Sequence, residues 1–220
     1  ELGMSLSEIQ DILEKEDITL IETLLAKKNE QLHEQMRELK SRHAAVERAI
    51  ASIEKYRKSP TNGTVSLEYI DRRYTYGRPC HHNFYEMDAD SFEEELMGLR
   101  QELVKKGFLH VHSYNVGTTI TGANFEAGRF VPEESFVFVD HKDRDIVPGV
   151  KVLDSGMFAC IYLDSFDEEI AYALKLRDHC RAQGWILDGD YICEIITEFN
   201  VFDSEKRSMF MRLQVPVRFV

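Results

Sequence analysis

A chain of 220 residues can bury a substantial core, as one large domain or two small ones. Its 43% hydrophobic and 30% charged residues are those of a soluble globular protein, and no apolar run approaches the ~20 residues of a membrane span. The formal charge of -12 argues against a grip on nucleic-acid phosphates and favours cationic partners.

The opening residues, ELGMSLSEIQ, have neither the basic start nor the apolar run of a secretory signal, so a cytoplasmic setting is expected. They also lack an initiator methionine and begin inside what reads as a structured segment, as a fragment of a longer chain would. Cys80, Cys160, Cys180 and Cys193 are widely spaced and form no CxxC pair, which points to reduced, mostly buried thiols. Cys80, His81 and His82 adjoin, but no second ligand pair stands at a usual spacing, so neither a metal nor another cofactor is expected.

Residues 5–16, SLSEIQDILEKE, begin with Ser5 three residues before Glu8, a capping-box signature, and carry Ile9, Ile12 and Leu13 at helical spacing. Asp17 can cap the helix that follows. No Gly or Pro then occurs until Pro60, and Leu25, Leu32, Leu39, Val46 and Ile53 recur every seven residues. Met36 and Ile50 occupy the companion position, beside the polar Asn29 and His43. This spacing predicts a long helix over 18–58 that needs a second helix along its length. The chain offers no other heptad segment, so a homodimer through this helix is the economical expectation. Docking on its own globular part is the alternative.

SPTNG at 59–63 reads as a turn-rich linker, and beyond it the chain repeats itself. The first copy has a strand at about 64–73, a helical stretch DSFEEELMGLRQELVKKGF, then HVHSYNVGTTITG and a strand at about 135–140. The second has a strand pair at about 150–163, the helical stretch DSFDEEIAYALKLRDHCRAQGW, then DYICEIITEF and MFMRLQVPVRFV. Both helices open with Asp-Ser-Phe and acidic residues, which suit the positive end of a helix dipole. Both end at Gly followed by an aromatic, Gly107-Phe108 and Gly184-Trp185, and each Gly precedes a tyrosine by seven residues, Tyr114 and Tyr191. The fold class expected is α+β: a long N-terminal helix, then a duplicated strand-helix-strand-strand unit forming an antiparallel sheet with both helices on one face.

DYICEIITEF carries an anomaly. In a regular strand Ile192, Glu194, Ile196 and Glu198 share a face, so Glu194 is a carboxylate between two isoleucines. Such a group is paired, protonated or avoided. Its partner is either a cation from outside the protein or an arginine such as Arg212 or Arg218 on a neighbouring strand. Counting from the shared tyrosines sets Glu194 opposite Gly117 of the first copy. The acidic stretches at 93–95 and 168–169 read as solvated first turns. Tyr114, Phe92, Phe136 and Trp185, taken singly, read as core residues.

ELGMSLSEIQDIL and the heptad helix resemble the end of the DNA-binding region and the dimerisation helix of MerR-type transcriptional regulators. The duplicated unit ending in DYICEIITEF and RLQVPV resembles a gyrase-inhibitor-like (GyrI-like/SHS2) effector-binding domain of the multidrug-sensing members. The resemblance implies four parts. Residues 1–17 are a remnant of the helical end of the DNA-binding region, 18–58 a coiled-coil dimerisation helix, 59–63 a linker and 64–220 the effector-binding domain. The winged helix-turn-helix would precede residue 1. Promoter DNA and RNA polymerase are then partners of a full-length activator only, and no membrane partner is expected.

Metal-sensing members carry cysteines around the dimerisation helix, and residues 17–79 contain none, which disfavours a metal sensor. The multidrug sensors bind a hydrophobic cationic small molecule with a buried glutamate, which falls on Glu194. Tyr114 stands for a pocket tyrosine and Phe92 for an aromatic at the first helix, while Ile170 and Met209 replace family aromatics. Phe136 completes the ligand-binding set that the resemblance implies. The dimer interface expected comprises Leu25, Leu32, Met36, Leu39, Val46, Ile50 and Ile53. Two other readings stay open: a GyrI-like hydrolase using the buried glutamate as general base, although no nucleophile motif is visible, and a protein-interaction module.

Overall fold

A computed structural model describes residues 6, 7, 9, 10, 18–87, 89–145, 147–197 and 209–219. Leu6, Ser7, Ile9 and Gln10 are helical, whereas the Ser5–Glu8 capping box, Ile12, Leu13, the cap Asp17 and the strand residue Glu198 lie outside the described residues. Helix α1 runs Ile18–Lys58, free of Gly and Pro, and places Lys55, Arg57 and Lys58 in its last turn, where cations complement the helix dipole. The chain forms two compact units, residues 1–46 and 47–220, that divide within this helix and not at the 59–63 linker. Leu25, Leu32, Met36, Leu39 and Val46 of the first unit are exposed, as are Ile50 and Ile53 of the second. Among the described residues no helix is long and apolar enough to cross a membrane.

The second unit holds the last turns of α1, strands β1 (Val65–Ile70) and β2 (Arg73–Pro79), helix α2 (Ala89–Lys105), β3 (Val116–Ile120), the short α3 (Gly122–Glu126) and β4 (Glu134–Val139). It continues with β5 (Lys151–Leu153), β6 (Gly156–Leu163), α4 (Glu169–Ala182), β7 (Ile186–Leu187), β8 (Tyr191–Thr197) and β9 (Phe210–Arg218). The single strand expected at 64–73 is therefore two strands, broken at Asp71-Arg72, and β2 matches β6 as β1 matches β5. The sheet is antiparallel in the order β1-β6-β9-β8-β3-β4-β2-β5, with β7 attached to β9. Exchanging the two copies leaves that order unchanged: each copy lends its first strand to the far edge of the other. The central seam is β3 against β8, where Gly117 and Glu194 are cross-strand partners.

The helix ends are set by glycine. Gly107 and Gly184 adopt φ of 89° and 70°, and the amides of Phe108 and Trp185 donate to the carbonyls of Leu103 and Cys180, closing each helix in a left-handed cap. Between these caps and the helix starts, Phe92, Leu96, Leu99 and Leu103 of α2, and Glu169, Ala173, Leu176 and Cys180 of α4, recur at the spacing of one buried stripe. Both stripes join the cluster that contains Tyr191, Cys193 and Ile195 of β8, so both helices cover one face of the sheet. Ile192 and Ile196 belong to a second cluster on the opposite face with Phe136, Phe158, Tyr162 and Phe210.

Phe136 shows how closely that second face is packed. It lies in register between Gly77 and Gly117 on the flanking strands, and a Cβ on Gly117 would meet its ring at 2.6 Å. The ring occupies the room of a missing side chain. Gly117→Val is therefore expected to lower stability by about 1–3 kcal/mol, the usual cost of overpacking. Urea unfolding measures this, and an unchanged midpoint would contradict it.

Candidate functional site

On the helix face, Phe84, Phe92, Phe166 and Glu169 close over a floor of Gly117, Thr118, Cys193, Ile195 and Met211, a narrow crevice too tight to admit a water molecule. It lies where the N-terminal ends of the two duplicated helices approach the seam of the sheet. Phe84 arrives on a single 3-10 turn, Phe84–Glu86, whose Asn83 side chain accepts from the Tyr85 amide and donates to the Phe130 carbonyl. Phe92 stacks on Phe166 with centroids 5.6 Å apart, and Phe84 tilts against Phe92 at 5.0 Å.

Glu169 is the acidic wall of this crevice. As the first residue of α4 it heads the stripe that faces the sheet, and it is only 2% exposed. The hydroxyls of Tyr85 and Tyr191 both donate to its Oε1, at 2.7 and 2.9 Å. Burial pushes its carboxyl above the ordinary range, and the hydrogen bonds from Tyr85, Tyr191 and Cys193 oppose that rise without cancelling it. Burial and the neighbouring Glu169 charge push the Cys193 thiol well up, so it stays protonated.

The expectation that residues 168–169 form a solvated first turn is thus corrected: Glu168 is exposed and Glu169 is buried. The same holds in the first copy, where Glu95 is buried and accepts from Arg78 Nε at 3.1 Å. A sequence signal for Glu169 exists. Counting back fifteen residues from the capping glycines Gly107 and Gly184 reaches Phe92 and Glu169, so a carboxylate replaces a phenyl ring at matching positions. Alignment on the two Asp-Ser-Phe stretches hides this, because the second copy has three more residues between that stretch and its glycine.

Glu194 lies on the other face and has its partners within the chain. Its Oε1 accepts from Lys55 Nζ at 2.7 Å, and its Oε2 from an Arg212 terminal nitrogen at 2.6 Å, Gln214 Nε2 at 3.1 Å and an Arg73 terminal nitrogen at 3.2 Å. Burial alone would raise its carboxyl, but the charges of Arg212, Lys55 and Arg73 outweigh burial and hold it well below the usual carboxylate range. Of the two kinds of partner expected for Glu194, a cation from outside and an arginine such as Arg212 or Arg218, the structure supplies Arg212, joined by Lys55 and Arg73, and the outside cation that the resemblance implies is not needed to match its charge.

The remaining members of the expected ligand set are not brought together. Phe92 lines the crevice, whereas Phe136 packs over Gly117 on the Glu194 face. Tyr114 is buried beneath the Arg48 guanidinium, 4.0 Å from its ring centre, and donates to Asp143 at 3.1 Å. Met209 is buried in the helix-face core, and Ile170 is 38% exposed on α4. Among the described residues no group of three or more His, Cys, Asp or Glu could hold a metal.

No protein-family model and no curated protein matches this chain. Solved structures share its fold. The C-terminal domain of EcmrR matches with a TM-score of 0.53 and 14% identity, over 71% of this chain and 98% of that one. The EcmrR chain of an EcmrR–DNA complex matches at 0.48 and 14%, over 100% and 79%. A hydrolase from Listeria innocua matches at 0.42 and 12%, over 75% and 96%.

The ion cluster predicts a pH dependence. A carboxyl held below its unfolded value contributes stability that is present above about pH 4.5 and lost as pH falls further. Glu194→Gln is expected to cost about 3–5 kcal/mol at neutral pH, because Arg73 loses its buried counter-charge and Arg212 keeps only Glu68, at 3.5 Å. Below about pH 4.5 the difference from the parent protein should shrink progressively, because the unfolded parent chain takes up a proton that the folded Glu194 carboxyl does not. Urea midpoints measured across that range check both statements.

Proposed function

We propose that this chain is the effector-sensing part of a MerR-type transcriptional activator and that the crevice at Glu169 takes a hydrophobic cation. The observation that carries the site is a buried carboxylate at one end of a crevice whose walls are three phenyl rings. A delocalised cation is attracted there by the charge and by the ring faces. The sequence resemblance to MerR-type regulators and the fold shared with the EcmrR C-terminal domain support the regulatory half. Promoter DNA and RNA polymerase are partners only of a full-length protein, and the exposed heptad stripe of α1 supports a homodimer.

The cleft has no room for even a water molecule, against the roughly 300–1,000 Å³ of drug-sized sites, so a ligand must displace part of the wall. The Phe84–Glu86 turn is the movable part, since it is a short loop element and neither strand nor long helix.

Titration with tetraphenylphosphonium by calorimetry is expected to show saturable binding, weakened at least tenfold by Glu169→Gln. Equal affinity in the variant would refute charge recognition at this site. A cation prefers the ionised carboxylate, so affinity should fall as pH drops through the Glu169 titration, which lies above the ordinary carboxyl range. Mass spectrometry after incubation with a strained electrophilic small molecule tests the hydrolase reading, which water addition that Glu169→Gln abolishes would favour. Sedimentation should find a dimer that Leu32→Glu with Leu39→Glu dissociates; a monomer before substitution would rule the heptad seam out as an interface.

A further inference from the structure

Phe166 is the one ring of the crevice wall that is partly exposed, whereas Phe84 and Phe92 are buried, so the crevice meets water beside Phe166. Acids flank that ring on both sides: Asp164 lies two residues before it, and Asp167 and Glu168 stand between it and Glu169. Glu94 follows Phe92, which stacks on Phe166, and Glu86 ends the wall turn. All five carboxylates are exposed, and none has an ion-pair partner among the described residues. Residues 84–99 and 164–174 contain no lysine or arginine. The cations of neighbouring segments are turned elsewhere. Arg78 donates to Glu95 and Arg129 to Asn124, while on α4 Lys175 donates to the Gly63 carbonyl and Arg177 to Asp178.

Each of the five lies within two residues of a wall residue, at most about 7.6 Å of chain, which is inside the screening length of about 8 Å at physiological ionic strength. Resting on the crevice as the site of a hydrophobic cation, we propose that the ligand carries a second positive charge and that Asp164, Asp167 and Glu168 form an outer subsite for it at the mouth. The ligand class is an elongated aromatic dication. One delocalised head takes the place beside Glu169, and the other remains hydrated among the outer carboxylates. Those three sit on the side that stays in place, since Asp164 follows β6 and the other two lead into α4, whereas Glu86 belongs to the turn that gives way. A monocation leaves the outer carboxylates repelling one another. A dication relieves that repulsion, and its second contact is made at the high effective concentration of a tethered group.

Calorimetry on the full chain tests this with two probes, a decane-bridged bis(triphenylphosphonium) dication and decyltriphenylphosphonium, the monocation with the same head and chain. At low salt the dication should bind at least about tenfold tighter, beyond the about twofold that two identical heads give by statistics. That ratio should fall towards about twofold when ionic strength rises from about 0.01 M to about 1 M, over which the screening length drops from about 30 to about 3 Å. The triple substitution Asp164→Asn, Asp167→Asn, Glu168→Gln should lower it likewise at low salt, and the salt series needs no variant to fold. A ratio of about twofold at low salt, or one that survives the triple substitution or high salt, overturns the outer subsite while the crevice stands. If neither cation binds, the crevice reading itself fails and the outer subsite fails with it.

Discussion

A carboxylate withdrawn from water at the centre of a sheet must be matched by charge, and the arrangement of the second unit follows from how Glu194 is matched. Its cations come from three separate elements: Lys55 from α1, Arg73 from β2 and Arg212 from β9. Removing any one leaves two, but removing the carboxylate leaves three cations together with only Glu68, 3.5 Å from Arg212, to offset them. Arg73 also donates to Gln214 and lies over the rings of Phe138 and Phe158, so the same cluster ties the sheet's edge region to its centre. Burial on both faces of β8, otherwise the mark of an apolar strand, is tolerated because the polar member brings its own counter-charges.

The duplication supplies the frame and the differences between the copies supply the chemistry. Where the first copy has Phe92 the second has Glu169, and where the first has Gly117 the second has Glu194. Both substitutions place a carboxylate in the second copy, but on opposite faces. One is bonded by two phenols in an aromatic crevice, the other by three cations beneath the long helix. Their carboxyls are displaced in opposite directions for that reason: burial dominates at Glu169 and charge at Glu194. A group whose charge is under-compensated is available to a ligand, and a group already surrounded by cations is not.

Much of the fold is legible in the sequence. The uninterrupted helix to Lys58, the heptad stripe, the capping glycines, the alternation of DYICEIITEF and the equivalence of Gly117 and Glu194 in the two copies all follow from spacing alone. Strand β2 escaped because Gly77 and Pro79 are depleted in strands, and the need for Gly77 lies in Phe136 on the next strand, which no local pattern reveals. Glu169 escaped because acidic residues in a first turn are ordinarily solvated, and only registration on the capping glycines exposes its place in the buried stripe. The partners of Glu194 are legible in part: Arg212 is an arginine of the neighbouring strand, but Lys55 and Arg73 are brought in by tertiary contacts across more than a hundred residues of chain.

The central claim is that the two buried carboxylates divide the work, Glu169 meeting the ligand and Glu194 holding the frame. Carboxyl-carbon NMR of glutamate-labelled protein, titrated in pH with and without tetraphenylphosphonium, tests it most directly. The account predicts that the Glu169 titration moves to lower pH when the cation is bound, while the Glu194 resonance stays that of an ionised group throughout. Movement of Glu194 with Glu169 unaffected would contradict it.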